Sequence, residues 1–195
     1  MVVRAKRTGG APGPPAAQGQ HVQQEETIMG KSDENLQAAF AGESQANRKY
    51  LAFAAKADRD GFAQVARLFR AAAEAETVHA HNHLRAMNGV KTTAENLDAA
   101  IEGETYEFTD MYPEFVEAAR ADGNKKALQS FEYANAVEKV HAALYKQAKA
   151  AVAGGKDMPK TEIWVCQTCG NTVEGEPPDN CPVCNARKSQ FKKID

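Results

Sequence analysis

Two helix-like stretches carry Glu-x-x-His, at Glu76/His79 and at Glu138/His141, and each follows a lone glutamate, Glu43 and Glu104. A carboxylate and an imidazole three residues apart share one helical face, and oxygen donors with two imidazoles suit iron or manganese better than zinc. The intervals nearly agree, 33 residues from Glu43 to Glu76 and 34 from Glu104 to Glu138, so the chain reads as a duplicated helix pair holding two metals. Glu107 breaks the symmetry. It follows Glu104 by one turn and adds a carboxylate to the second copy alone.

A second constellation closes the chain: Cys166-x-x-Cys169 and Cys181-x-x-Cys184, the only cysteines, separated by 11 residues. Four thiolates so spaced surround one ion tetrahedrally, and a unit of some 30 residues needs that ion to be stable. Spacing alone leaves iron and structural zinc equally open. Cysteines used for metal rather than for disulfides point to a reducing compartment.

The elements that must position these groups are helices. Leu36, Phe40, Glu43, Asn47, Tyr50 and Ala54 form one face of a first helix, ended by Asp60-Gly61. Val65, Phe69, Ala72, Glu76, His79 and His83 form one face of a second, stopped at Asn88-Gly89. So short a link makes the two antiparallel. Thr92 with Glu95 predicts a capping box for a third helix, with Leu97, Ile101, Glu104, Phe108, Met111 and Phe115 inward and a bend at Pro113. A start later than residue 92 would free residues 90–99 to span about 30 Å as a crossover. After Asp122-Gly123-Asn124, a fourth helix carries Phe131, Ala134, Glu138, His141, Ala142 and Tyr145 to Gly154-Gly155.

Any one of these glutamates alone would be read as a solvated surface residue. Together, Glu43, Glu76, Glu104 and Glu138 occupy the apolar stripe, and packing the four helices is expected to gather them away from water. Five unneutralised carboxylates there would be strongly destabilising, whereas two cations and two imidazoles complete a coordination set. This matches the ligand set of ferritin-like di-iron and di-manganese bundles. In that geometry Glu76 and Glu138 bridge two irons, manganese being the alternative, while His79 and His141 each serve one. His83 reads as packing near the site and His81 points away, whereas His21 lies outside the helices. Tyr50 and Tyr112 either hydrogen-bond the carboxylates or pack.

At 195 residues, 43% hydrophobic and 26% charged, the chain is globular. A net charge of −2 gives no case for nucleic acid or a membrane surface, and no apolar run approaches a bilayer span. The first 28 residues differ: basic Arg4, Lys6 and Arg7 precede a Gly/Pro/Ala/Gln run without an apolar core, read as a disordered tail. Met29 heads the helical pattern and is a candidate natural start, which intact mass would test. The expected organisation is a tail over residues 1–30, a four-helix bundle over 31–154, a linker over 155–162 and a four-cysteine unit over 163–195.

Glu43-Ser-Gln-Ala-Asn-Arg-Lys-Tyr50, Ala75-Glu-Thr-Val-His-Ala80, Gly103-Glu-Thr-Tyr-Glu107 with Met111-Tyr112-Pro113, Glu138-Lys-Val-His141 and the four-cysteine segment resemble the rubrerythrin family from Met29 to Asp195. The resemblance implies a mainly α protein. A ferritin-like di-iron four-helix bundle would be followed by a rubredoxin-like iron-tetrathiolate domain. It implies a cytoplasmic peroxidase, with iron passing between His79 and Glu107 on redox change and Tyr50 and Tyr112 beside the ligands. It also implies head-to-tail homodimers in which one subunit's thiolate iron serves its partner. One departure is Asn185, where rubredoxin-like knuckles have Gly; Asn also tolerates a left-handed turn.

The expected reaction is reduction of hydrogen peroxide to water in oxidative-stress defence. Electrons arrive singly through the four-cysteine centre from an NAD(P)H-dependent reductase or a rubredoxin. A ferroxidase of the ferritin-like class with a structural zinc ribbon is the main alternative. A di-manganese catalase-like enzyme would need no electron-carrying domain. An interaction module would leave seven ligands unexplained.

Overall fold

The computed structural model describes Met1 and residues 30–195. The expected tail, apart from its two end residues, and Met29 lie outside the described residues. Five α-helices follow: α1 Lys31–Arg59, α2 Ala63–Ala86, α3 Thr93–Tyr106, α4 Tyr112–Ala121 and α5 Lys125–Ala153. A π-helical segment, Glu107–Met111, joins α3 to α4 without a break. The single third helix expected from the sequence is therefore three segments. Pro113 sits in the first turn of α4, immediately after the π segment. Proline lacks an N–H and crowds the carbonyl four residues back, and the wider register just ahead of it absorbs both defects.

The ends of the helices follow their cap chemistry. The Thr92 hydroxyl accepts from the Glu95 N–H at 3.3 Å while the Thr92 N–H donates to Glu95 Oε2 at 3.1 Å. Asn96 closes a second loop on the same turn, accepting from the Lys91 N–H at 2.9 Å and donating to the Lys91 carbonyl at 3.0 Å. Helix α3 therefore starts at Thr93 and not later, and no long crossover precedes it. Gly61 (φ 84) and Gly123 (φ 65) end α1 and α4 in left-handed conformation, as Asn88 (φ 55) does after α2.

Packing divides the helices into two sets. Helix α1 packs along α2, held by buried Asn47, whose Nδ2 donates to the Ala73 carbonyl at 2.7 Å and to Thr77 Oγ1 at 2.8 Å. Helix α5 packs on α3, the π segment and α4. An ion pair closes each set: Arg70 to Asp58 at 2.7 Å in the first, Arg120 to Glu132 at 2.6 Å in the second. The expectation that one chain packs all four helices around its glutamates needs correction. Among the described residues, α1 and α2 make no substantial contact with α3, α4 or α5. The reason is the link between the sets: only 87–92 separate α2 from α3.

The consequence shows in the core. Within the helices, the buried apolar side chains are alanines and the two valines Val116 and Val137. The larger residues of the expected inner faces stay partly open, with Val65 46% and Phe115 39% exposed.

After α5, residues 154–162 carry no helix or strand and lead into a three-stranded antiparallel sheet ordered β2-β1-β3: β1 Ile163–Cys166, β2 Thr172–Glu174 and β3 Phe191–Ile194. Cys166, Cys181 and Phe191 are buried at its centre, with Trp164 packed against them. The sheet rests on α5 through β2, and Gly170 lies against Val137. No helix among the described residues is long and apolar enough to cross a membrane.

Candidate metal centres

The first cluster lies on the α1–α2 hairpin, where antiparallel packing sets Glu43 beside Glu76 and His79. The His79 Nδ1 stands 3.0 Å from Glu76 Oε2 and 3.8 Å from Glu43 Oε1. The second cluster repeats this on α3 and α5: His141 Nδ1 is 2.8 Å from Glu138 Oε2 and 3.7 Å from Glu104 Oε2. In each, one donor atom per residue lies within 4.8 Å of the others. Metal–ligand bonds of about 2.1 Å in four- to six-coordinate geometry put neighbouring donors roughly 3–3.5 Å apart. The two carboxylates and one imidazole of each half thus fit a metal ion, as half of a coordination sphere.

The halves differ in exposure. The His79 side chain is 52% exposed, and that of His141 only 27%. What covers His141 is the four-cysteine unit: its Nε2 meets Thr172 Oγ1 at 2.9 Å. Thr172 was not among the residues singled out from sequence. No local pattern marks it, because the contact joins residues 31 positions apart in two different folded units.

Glu107 belongs to the second half. Burial raises its pKa, with the Glu104 charge adding to the rise and His141 opposing it. Burial likewise raises Glu104, helped by a hydrogen bond and charge repulsion from Glu138. Tyr112 is also raised, first by burial and then by the charges of Glu107, Glu138 and Glu104, so its phenol lies within reach of their fields. Tyr50 occupies the matching place in the hairpin, packed on Phe69. His83 is half-buried and His81 exposed, and both lie outside the clusters.

The duplication is closer than the glutamate spacing suggests. Tyr50, Phe53 and Phe69 form one aromatic group, and Tyr112, Phe115 and Phe131, each 62 residues later, form another. The Asp58–Arg70 ion pair recurs at the same offset as Arg120–Glu132 with its signs reversed. Glu76/His79 and Glu138/His141 obey it too, but Glu43 and Glu104 are only 61 apart. The extra residue of the second copy is the π segment. Tyr112 donates its N–H to the Glu107 carbonyl across one π turn. In an uninterrupted α-helix a residue five positions on would point about 140° away; the π turn returns Tyr112 to the face of Glu107.

The four cysteines converge from two turns. Cys166 Sγ and Cys184 Sγ are 3.7 Å apart and Cys169 Sγ and Cys181 Sγ 3.6 Å. A tetrahedron with metal–sulfur bonds of about 2.3 Å has edges near 3.8 Å, whereas a disulfide bond is about 2 Å long, so the set fits a single metal. Burial pushes the Cys166 thiol up, but the N–H groups of Thr168 and Cys169, together with hydrogen bonds from the Cys184 and Cys169 thiols, outweigh it and bring it down to about 7. Burial raises Cys169 and Cys184. Asn185 has φ 60, the left-handed conformation that Gly170 (φ 86) adopts after the first pair. The expected tolerance of Asn at this turn is therefore observed.

Fold and donors together define a class: a helical di-metal carboxylate protein with an appended thiolate metal site. The family described as rubrerythrin matches residues 34–149, and that described as the rubrerythrin rubredoxin-like domain matches residues 164–192. The chain is 33% identical to "Rubrerythrin-2" of Clostridium acetobutylicum over 171 residues, covering 80% of this chain and 93% of that protein. It is 36% identical to "Nigerythrin" of Nitratidesulfovibrio vulgaris over 179 residues, covering 85% and 87% respectively. The solved structure "Fully reduced state of nigerythrin (all ferrous)" matches 89% of this chain and 91% of its own at 34% identity, with a TM-score of 0.50. The chain belongs to the rubrerythrin family. It has that family's ferritin-like fold class, a di-iron site and a four-cysteine rubredoxin-like site.

Proposed function

We propose that this protein is a non-haem di-iron peroxidase that reduces hydrogen peroxide to water in the cytoplasm, as oxidative-stress defence. The carrying observation is the lodging of the four-cysteine unit against a metal ligand, Thr172 on His141. A ferroxidase needs no such contact. In this reading Glu43, Glu76, His79, Glu104, Glu107, Glu138 and His141 would hold the iron pair, and Cys166, Cys169, Cys181 and Cys184 would hold a third iron. Residues 31–154 are the catalytic unit, 163–195 the electron-carrying one and 155–162 their linker.

When bound, the iron pair supplies the two electrons that split the O–O bond, and the thiolate iron returns them one at a time. The chain's own groups do the rest. Two protons must reach the departing oxygens for peroxide to leave as two waters. Glu107, which alternates with His79, stands beside Glu104 and can carry one when it is off the metal. Tyr112, raised first by burial and then by the charges of Glu107, Glu138 and Glu104, stays a phenol close to these carboxylates. Glu107 and His79 are alternative ligands for one iron. His141 faces the bundle carboxylates through Nδ1 and the thiolate unit through Nε2, so it spans the gap electrons must cross.

Electrons come from an NAD(P)H-dependent reductase or a rubredoxin, and the protein acts as a homodimer. The test is NADH oxidation driven by peroxide in the presence of such a reductase, on protein from iron-replete cells. The expected result is a red protein whose thiolate-to-iron absorption bleaches on reduction and returns with peroxide. A colourless protein, or a red one that peroxide cannot reoxidise, would overturn the assignment.

A further inference from the structure

We infer that the di-iron centre is built between two copies of the chain, the α1–α2 hairpin of one closing on α3–α5 of the other in a reciprocal exchange. Each half-site offers two carboxylates and one imidazole on an open helical face, and neither is complete alone. The apolar residues beside them remain at least partly open, with Phe53, Val65 and Phe115 exposed, and no large apolar side chain of the described helices is buried. The two faces must meet; the question is whether they meet within one chain.

The link decides it. One imidazole per metal requires His79 and His141 on opposite sides of the bridging Glu76 and Glu138. Helices α2 and α5 must then run antiparallel. Asp98 of α3 pairs with Lys149 near the end of α5, so α3 and α5 are antiparallel too. It follows that α2 and α3 run in the same direction, which also puts Glu107 level with His79. Glu76 lies ten residues before the end of α2 and Glu104 eleven after the start of α3. With the glutamates level, the end of one helix and the start of the next are about 31 Å apart at 1.5 Å per residue. Seven steps from Ala86 to Thr93 reach about 25 Å at most.

The real reach is shorter. Asn88 turns left-handed and the Gly89 N–H returns to the Leu84 carbonyl at 2.8 Å. At the other end Thr92/Glu95 and Lys91/Asn96 fix the first turn of α3. Closure within one chain would have to break these caps. A second copy supplies the same face with no such tether. Since the four-cysteine unit rests on its own α5, it would serve a centre with its own His141 and its partner's Glu43, Glu76 and His79.

The inference rests on the ligand assignment and not on the reaction, so a correctly shared centre without peroxidase activity would sink only the proposed function. The test co-expresses Glu76→Ala and Glu138→Ala chains under different tags and isolates the mixed dimer. An exchanged dimer pools both lesions in one centre and leaves the other intact. It should therefore regain one iron pair where the wild type holds two, read by Mössbauer spectroscopy apart from the thiolate iron, while either variant alone holds none. A mixed dimer with no iron pair overturns the exchange, as does a wild-type chain that is monomeric by light scattering. Metal-free protein gives an independent reading. The wild type should remain a dimer, and a long Gly/Ser insert after Gly89 should turn it into a monomer; a dimer that ignores the insert overturns the inference.

Discussion

At the residue scale, Glu107, beside Glu104, separates this site from a symmetric pair of half-sites. The hairpin half has Ala46 where the second half has Glu107, so in the proposed reading only one metal would be offered a choice of imidazole or carboxylate. Glu107→Ala should keep the iron pair and lower peroxide-driven NADH oxidation at least about tenfold, a barrier increase of roughly 1.4 kcal/mol. Unchanged turnover would remove Glu107 from the mechanism. Without metal the same carboxylates are a liability. Both have raised pKa values, so their contribution to stability is fully present below the ordinary value of 4.5 and is lost as pH climbs through the folded-state values. The metal-free Glu104→Gln variant should therefore melt higher than metal-free wild type at neutral pH, with the gap shrinking toward about pH 4. A gap that widens on acidification would contradict the assigned shift. Iron should reverse the order, since the wild-type carboxylate is then a ligand.

At the element scale the informative feature is the π segment. A single additional residue between Glu104 and Tyr112 would ordinarily rotate everything beyond it out of register, and the π turn confines the insertion to Glu107–Met111. Deleting Thr109 restores the 33-residue interval of the first half. The variant should fold with unchanged helix content by circular dichroism and still bind two irons. Its turnover should fall about tenfold or more, because the wide turn, and not merely a shared helical face, sets Glu107 against Glu104 and Tyr112. If activity survives the deletion, the bulge is only an accommodation of Pro113. The difference of one between the two glutamate intervals was present in the sequence, but an interval says only that a residue was added. Where it is absorbed, as a loop, a kink or a π turn, depends on what Pro113 and the facing α5 permit.

At the scale of the whole molecule, the two candidate metal sites meet at the contact of His141 with Thr172. Thr172→Val removes the hydroxyl while keeping the shape of β2, and should slow reoxidation of the thiolate iron by peroxide several-fold in stopped-flow absorbance, leaving iron content unchanged. An identical rate would mean that electrons take another path. Cys181→Ser should cost the C-terminal unit its fold, seen as loss of hydrogen-exchange protection over residues 163–194, because so small a sheet has too little core without its ion. The helices should be untouched. Protection retained without metal would contradict this.

The sequence by itself determined the candidate donors, their pairing along helical faces and the four-thiolate knuckles, each from local periodicity or fixed spacing. The family was legible as a resemblance of whole segments, not from spacing. It also determined the left-handed turn at Asn185 and the cap at Thr92, both set by side chains within a few residues. Only the tertiary structure decided that the ligands fall into two half-sites rather than one enclosed cluster. A glutamate on an apolar stripe is expected to be buried, but by what cannot be read from the stripe. That depends on the reach of six residues between α2 and α3 compared with the length of the helices they join. The contact of Thr172 with His141 is of the same kind, a meeting of two folded units that no periodicity encodes. The doubled Glu-x-x-His thus specifies the metal chemistry, while the short link between the halves governs which chains supply it.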